Sequence, residues 1–93
     1  MEAEKRKQQR IPIALPVFVK NMTGVTRDVS ATGVFFWTGY ACMTGDFIHF
    51  EVELRRPVGK MMLKCQGDVV RTEARDTTIG VAVRITQSSM EQA

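Results

Sequence analysis

The chain has no long apolar run. Its densest stretch, Val34-Phe35-Phe36-Trp37, falls far short of the ~18 to 20 residues a bilayer span requires. No apolar segment follows the charged opening MEAEKRKQQR, so the pattern of a secretory signal is missing and the expected location is the cytoplasm. Cysteine and histidine are scarce: Cys42, Cys65 and His49 are all there is. That excludes a disulfide scaffold and leaves no ligand cluster for zinc or iron. Both cysteines are expected as free thiols packed like small hydrophobes. Catalytic signatures are absent too, with no Gly-x-Ser-x-Gly elbow and no phosphate-cradling glycine loop, so neither an enzyme nor a bound cofactor is expected. His49 sits between Phe47 and Glu51 without an orienting partner and reads as a surface histidine; Glu51 and Glu53 read as a solvated strand face.

What is present is ordinary soluble-domain composition, 44% hydrophobic and 25% charged over 93 residues, enough for one domain. The hydrophobic residues alternate. Ile48, Phe50, Val52 and Leu54 point one way, as do Met61, Leu63, Cys65, Gly67 and Val69, and then Ile79, Val81, Val83 and Ile85. Earlier runs, Ile13–Val19, Val25–Asp28 and Val34–Thr38, are β-branched and aromatic, with Pro16 placing an edge or bulge in the first. Turn chemistry separates them at Asn21–Gly24, at Ser30–Gly33, in the loop Gly39–Asp46, at Arg55–Gly59 and at Glu73–Thr77. Gly33 is expected in a backbone conformation closed to most residues. No helical stripe is visible between residues 11 and 86. About six strands with short turns predict an all-β antiparallel barrel, since closure removes unpaired edges. Residues 1–10 are expected to form a flexible basic arm, 11–87 the barrel and 88–93 a tail. Ser88-Ser89-Met90-Glu91 has capping-box spacing and predicts at most a short helix.

Net charge is only +3. The decapeptide carries Lys5, Arg6, Lys7 and Arg10 against Glu2 and Glu4, so most of the excess sits in the arm. This suits a small anionic ligand and is too little for a duplex-DNA binder, which needs several phosphate contacts. Arg6 and Arg10 are spaced Arg-x-x-x-Arg, and an arginine fork can pair with phosphate or with guanine O6 and N7. Asp28, Ser30 and Gly33 form an Asp-x-Ser-x-x-Gly spacing at a strand-turn-strand junction. Asp28 and Ser30 leave the same face of the strand end. A carboxylate there can accept from the N1 and N2 hydrogens of guanine, a donor pair unique to that base.

In order and spacing, the two motifs resemble the PilZ domain family of cytoplasmic bacterial receptors for the second messenger cyclic di-GMP. The resemblance continues through Gly45-Asp46, Gly67-Asp68-Val69-Val70-Arg71 and Ile79-Gly80-Val81-Ala82-Val83. It implies a six-stranded antiparallel barrel with an N-terminal arm that wraps the ligand. Arg6 and Arg10 would then grip guanine and phosphate, and Asp28, Ser30 and Gly33 the other guanine. Lys5 falls where the family often has a further arginine; lysine keeps the charge and loses the fork. Arg71 occupies a strand position from which family members sometimes touch the ligand. The arm, carrying little apolar surface to hold it on the barrel, would be ordered by the ligand and signal to a downstream protein partner, with no membrane insertion.

Two other readings compete. A PilZ-like adaptor would bind protein and no nucleotide. A barrel of the OB-fold or cold-shock kind would stack single-stranded nucleic acid on Phe35, Phe36, Trp37 and Tyr40, with Arg55 and Arg56 on the phosphates. Against the latter, a barrel this small needs Phe35 or Phe36 in its core, and the aromatics lack a basic surround.

Overall fold

The computed structural model describes residues 9–57 and 59–92, all of them strand, turn or loop. The strands are β1 (Ile11–Pro12), β2 (Pro16–Val19), β3 (Met22–Val29), β4 (Gly33–Thr38), β5 (Phe47–Arg56), β6 (Gly59–Arg75) and β7 (Thr78–Gln92). Pairing runs β1-β3-β2-β5-β6-β7-β4, and a further β3–β4 ladder joins the ends. Six strands thus close a barrel, and β1 adds a short seventh against β3. Every pairing is antiparallel.

Side-chain alternation sets inside and outside. Val17, Val19, Val34, Phe36, Ile48, Phe50, Val52, Cys65, Val69, Val81 and Val83 are buried in one interior cluster. Burial of a valine or phenylalanine of this kind contributes about 1.5 to 3 kcal/mol, and these residues supply the main driving force for closure. Both cysteines are free and buried. Burial pushes the Cys65 thiol up to about 11; burial, and then the Asp46 charge, raise Cys42 as well.

Pro16 opens β2, and the chain between Pro12 and Pro16 leaves the ladder. Thr26 fills that gap from inside: its hydroxyl donates to the Ile13 carbonyl and accepts from the Leu15 amide at 2.9 Å. A side chain thereby satisfies backbone groups that the interrupted strand would leave bare.

Several expectations shift. The first turn is at Lys20 and Asn21, with Lys20 at φ 57°, and Met22–Gly24 already belong to β3. Gly24 is needed for closeness: a Cβ there would lie 2.0 Å from the Trp37 carbonyl oxygen. β6 continues through Glu73 to Arg75, leaving the turn to Asp76 (φ 43°) and Thr77. Glu53 is not solvated; it is buried and bound to Arg55 at 2.8 Å.

The tail is a strand, not a short helix. β7 carries on to Gln92, pairing Ser88 with Cys65, Met90 with Leu63 and Gln92 with Met61. The long first half of β6 offers a second edge there, and a helix of one turn would be too short to offset its nucleation cost. Among the described residues no helix is long and apolar enough to cross a membrane.

Candidate functional site

The site forms where β3 hands over to β4. The ladder between them shifts register between Thr26 and Asp28, so Arg27 is an extra, bulged residue. Asp28 then lies across from Phe35 on the outer surface of the barrel, and Arg27 stands beside it rather than on the opposite face. After Val29 the chain turns tightly: the Ser30 amide donates to the Gly33 carbonyl at 2.8 Å, and the Gly33 amide donates to Ser30 Oγ at 3.1 Å.

Three of the predicted residues meet directly. Arg10 Nε donates to Asp28 Oδ1 at 2.7 Å, and Arg10 Nη1 reaches Ser30 Oγ at 3.5 Å. Gly33 completes the cluster by leaving room. A Cβ on it would sit 3.0 Å from the Val83 carbonyl oxygen, 3.7 Å from Ser30 Oγ and 3.9 Å from Arg10 Nη1. Its φ is not in the left-handed region, where the described glycines are Gly45 and Gly59. The expectation of a special backbone conformation is therefore corrected: Gly33 is small because the chain passes close to β7.

Arg10, Ser30 and Gly33 line a shallow pocket of about 170 Å³ with Val70, Ala82 and Arg84. Sequence reasoning missed the last three. Ala82 and Arg84 are the outward positions of β7, legible from the alternation, and Arg84 Nη2 is held by Asp68 at 3.0 Å. Val70 is exposed at a register shift between Val69 and Arg71, which no periodicity announces. A larger groove of about 730 Å³, lined by Phe18, Lys20, His49 and Lys64 among others, lies across β2, β5, β6 and β7 and contains none of the described motif residues. We place the site at the smaller pocket because the convergent charged groups are there.

Arg71 is not in the cluster. Its Nη1 binds Glu73 at 2.8 Å, and its Cζ lies 5.4 Å from the centre of the Phe35 ring. Arg6 and Lys5 lie outside the described residues. Arg10, by contrast, pairs with Asp28 at 2.7 Å, so a charge rather than apolar packing seats the last residue of the arm on the barrel. The aromatics also divide. Phe36 is in the core, while Phe35 is on the outer side yet fully covered, so neither offers a stacking face.

Asp28 receives a second arginine. Arg27 Nε binds Oδ2 at 2.7 Å, so both carboxylate oxygens are engaged. Burial pushes this carboxyl up, but hydrogen bonds from Arg27 and Arg10, together with their charges, outweigh it and hold the group below its ordinary value. At neutral pH Asp28 is an anion and an acceptor only. Around it the arrangement offers a two-oxygen acceptor, a guanidinium on a long stem, a hydroxyl and a glycine-floored hollow. That set can read a donor edge and pair an anion side by side.

Comparison with known proteins bears on the family and the fold. The family model described as "PilZ domain" matches residues 4–93. Among solved structures, that of the Bacillus subtilis inhibitor of motility (MotI/DgrA) superposes with a TM-score of 0.75 at 13% identity, covering 90% of this chain and 44% of that one. This chain thus spans less than half of that protein, and the likeness is one of fold. A search of curated proteins finds no match.

Proposed function

The chain belongs to the PilZ domain family, and from that premise we propose that it is a receptor for cyclic di-GMP. The observation that carries the reading is the meeting of Arg10, from the arm, with Ser30 and Gly33, from the β3–β4 turn, around one pocket, with Asp28 bonded to Arg10 beside it. Asp28 reads the N1 and N2 hydrogens of one guanine. Arg10, with Arg6 of the same Arg-x-x-x-Arg motif, takes phosphate or the guanine O6 and N7 edge. Ser30 holds a phosphate or base edge, and Gly33 admits the ligand close to the backbone. Binding moves Arg10 from Asp28 to the ligand, which changes the arm's seat on the barrel and hence the surface a protein partner meets. PilZ domains are receptor or adaptor domains, and the site's described residues hold no group arranged for catalysis. The adaptor alternative differs in one respect, the absence of nucleotide binding.

Calorimetric titration with cyclic di-GMP tests this. Wild type should bind, and Arg6→Ala or Arg10→Ala should each lose about 1.5 to 3 kcal/mol, the range for charge-assisted hydrogen bonds, roughly ten- to more than hundredfold. The barrel should survive both, since both residues precede β1. Unchanged binding in the double variant would remove the arm from the site, and no binding by wild type would leave the adaptor reading.

A further inference from the structure

Arg27 belongs to neither motif, yet it holds the group on which base reading depends. We infer that Arg27 competes with guanine for Asp28: it occupies Oδ2 and must be displaced before a guanine edge can take both oxygens. The inference rests on the receptor reading above and adds a residue that sets its affinity.

The geometry is specific. A guanine presents N1–H and N2–H in parallel, so it needs the two oxygens of one carboxylate together. In this structure Oδ1 faces Arg10 and Oδ2 faces Arg27, each at 2.7 Å. The Asp28 side chain is only 12% exposed, which leaves little room for a third partner to approach while both arginines stay. Arg10 is on the arm and has the ligand's own acceptors to move to. Arg27 is seated where it stands. The β3 bulge puts it beside Asp28, and its Cζ lies 3.8 Å over the centre of the Phe35 ring.

That ring is fixed from below. Phe35 packs edge-to-face on Trp37 at 5.2 Å, and both press on Gly80, where a Cβ would come within 2.4 Å of Phe35 and 2.8 Å of Trp37. Arg27 thus has two anchors, a carboxylate oxygen and an aromatic face, and displacing it from the first opposes ligand binding. Its exposure, 45% of the side chain, limits the effect: a pair this open to water is weak, and removing the competitor should tighten binding by about two- to fivefold.

The experiment is calorimetry with cyclic di-GMP on the full chain, comparing wild type, Arg27→Gln and Arg75→Gln. Arg75 lies over Trp37 at 4.5 Å on the same outer surface, so its variant reports the loss of one positive charge without touching Asp28. Binding by Arg27→Gln that is two- to fivefold tighter than by Arg75→Gln supports the inference. Equal or weaker binding overturns it while leaving the receptor reading intact. If wild type and both variants fail to bind, the receptor reading is what fails. The clamp itself is then decided without ligand, by the carbon-13 titration of the Asp28 carboxyl. A midpoint that rises in Arg27→Gln upholds Arg27 as the holder of Oδ2, and an unmoved midpoint overturns it.

Discussion

Replacing Asp28 by Asn keeps the shape of the site and removes its charge, with three consequences. The first is stability. Asp28 makes two ion pairs at 2.7 Å, but its partners are 47% and 45% exposed, so water screens both. At about 0.2 to 1 kcal/mol for each pair, the variant should lose roughly 0.5 to 2 kcal/mol at pH 7. For a domain of this size that lowers the melting temperature by about 2 to 16 °C, taking roughly 4 to 8 °C per kcal/mol. The second is pH dependence. The folded carboxyl lies below the 3.8 of an ordinary aspartate, so its contribution is fully present above that value and disappears as pH falls through the folded one. The Asp28→Asn variant has no such contribution to lose. The gap between the two proteins should therefore be constant from pH 7 to about 5 and close below 3.8. The third is binding: the new amide group points a donor at guanine N–H groups, so affinity should fall and the preference for cyclic di-GMP over cyclic di-AMP should shrink. Thermal unfolding from about pH 2.5 to 7, with calorimetry at pH 7, measures all three. Equal stability at pH 7, or a gap that persists unchanged into acid, would refute the ion-pair account; equal base preference would refute Asp28 as the guanine reader.

Thr26→Val should destabilise the barrel by about 1 to 3 kcal/mol in chemical unfolding, because the Ile13 carbonyl and Leu15 amide lose the hydroxyl that satisfies them. Gly80→Ala should cost a similar 1 to 3 kcal/mol, roughly, since the methyl group would come within 2.4 Å of the fully covered Phe35 ring and 2.8 Å of Trp37; a neutral result would show that the outer aromatic layer is loose. Cys65, with its thiol pushed up to about 11 by burial, should react with iodoacetamide at about pH 8 only on the timescale of unfolding, and rapid labelling of native protein would contradict its place in the core.

The barrel was legible because alternation is a direct record of which face is buried. The runs Ile48–Leu54 and Ile79–Ile85 point inward as their period of two demands. What misled was local chemistry overruled by pairing. Ser88–Glu91 carries a helix-start spacing, yet the neighbouring edge of β6 draws it into a ladder. Asn21–Gly24 has turn residues, yet Gly24 is there to let two backbones meet. The motif residues Arg10, Asp28 and Ser30 were readable and do converge. Arg27 was not, because its role depends on a bulge, and a bulge is set by the register of two strands rather than by any pattern within one. Arg84 and Val70 enter the pocket from β7 and β6, far along the chain, where only the closed barrel brings them near.

Cyclic di-GMP is proposed to enter the pocket of Arg10, Ser30 and Gly33, beside the Asp28 carboxylate that Arg10 holds. Backbone amide NMR of isotope-labelled protein during a titration with that nucleotide, run beside cyclic di-AMP, tests it most directly. Saturable shifts are expected with cyclic di-GMP, centred on Arg10, Asp28, Ser30, Gly33 and Arg84, and much weaker ones with cyclic di-AMP. Shifts centred on the groove around Phe18, His49 and Lys64, or no shifts at all, would contradict it.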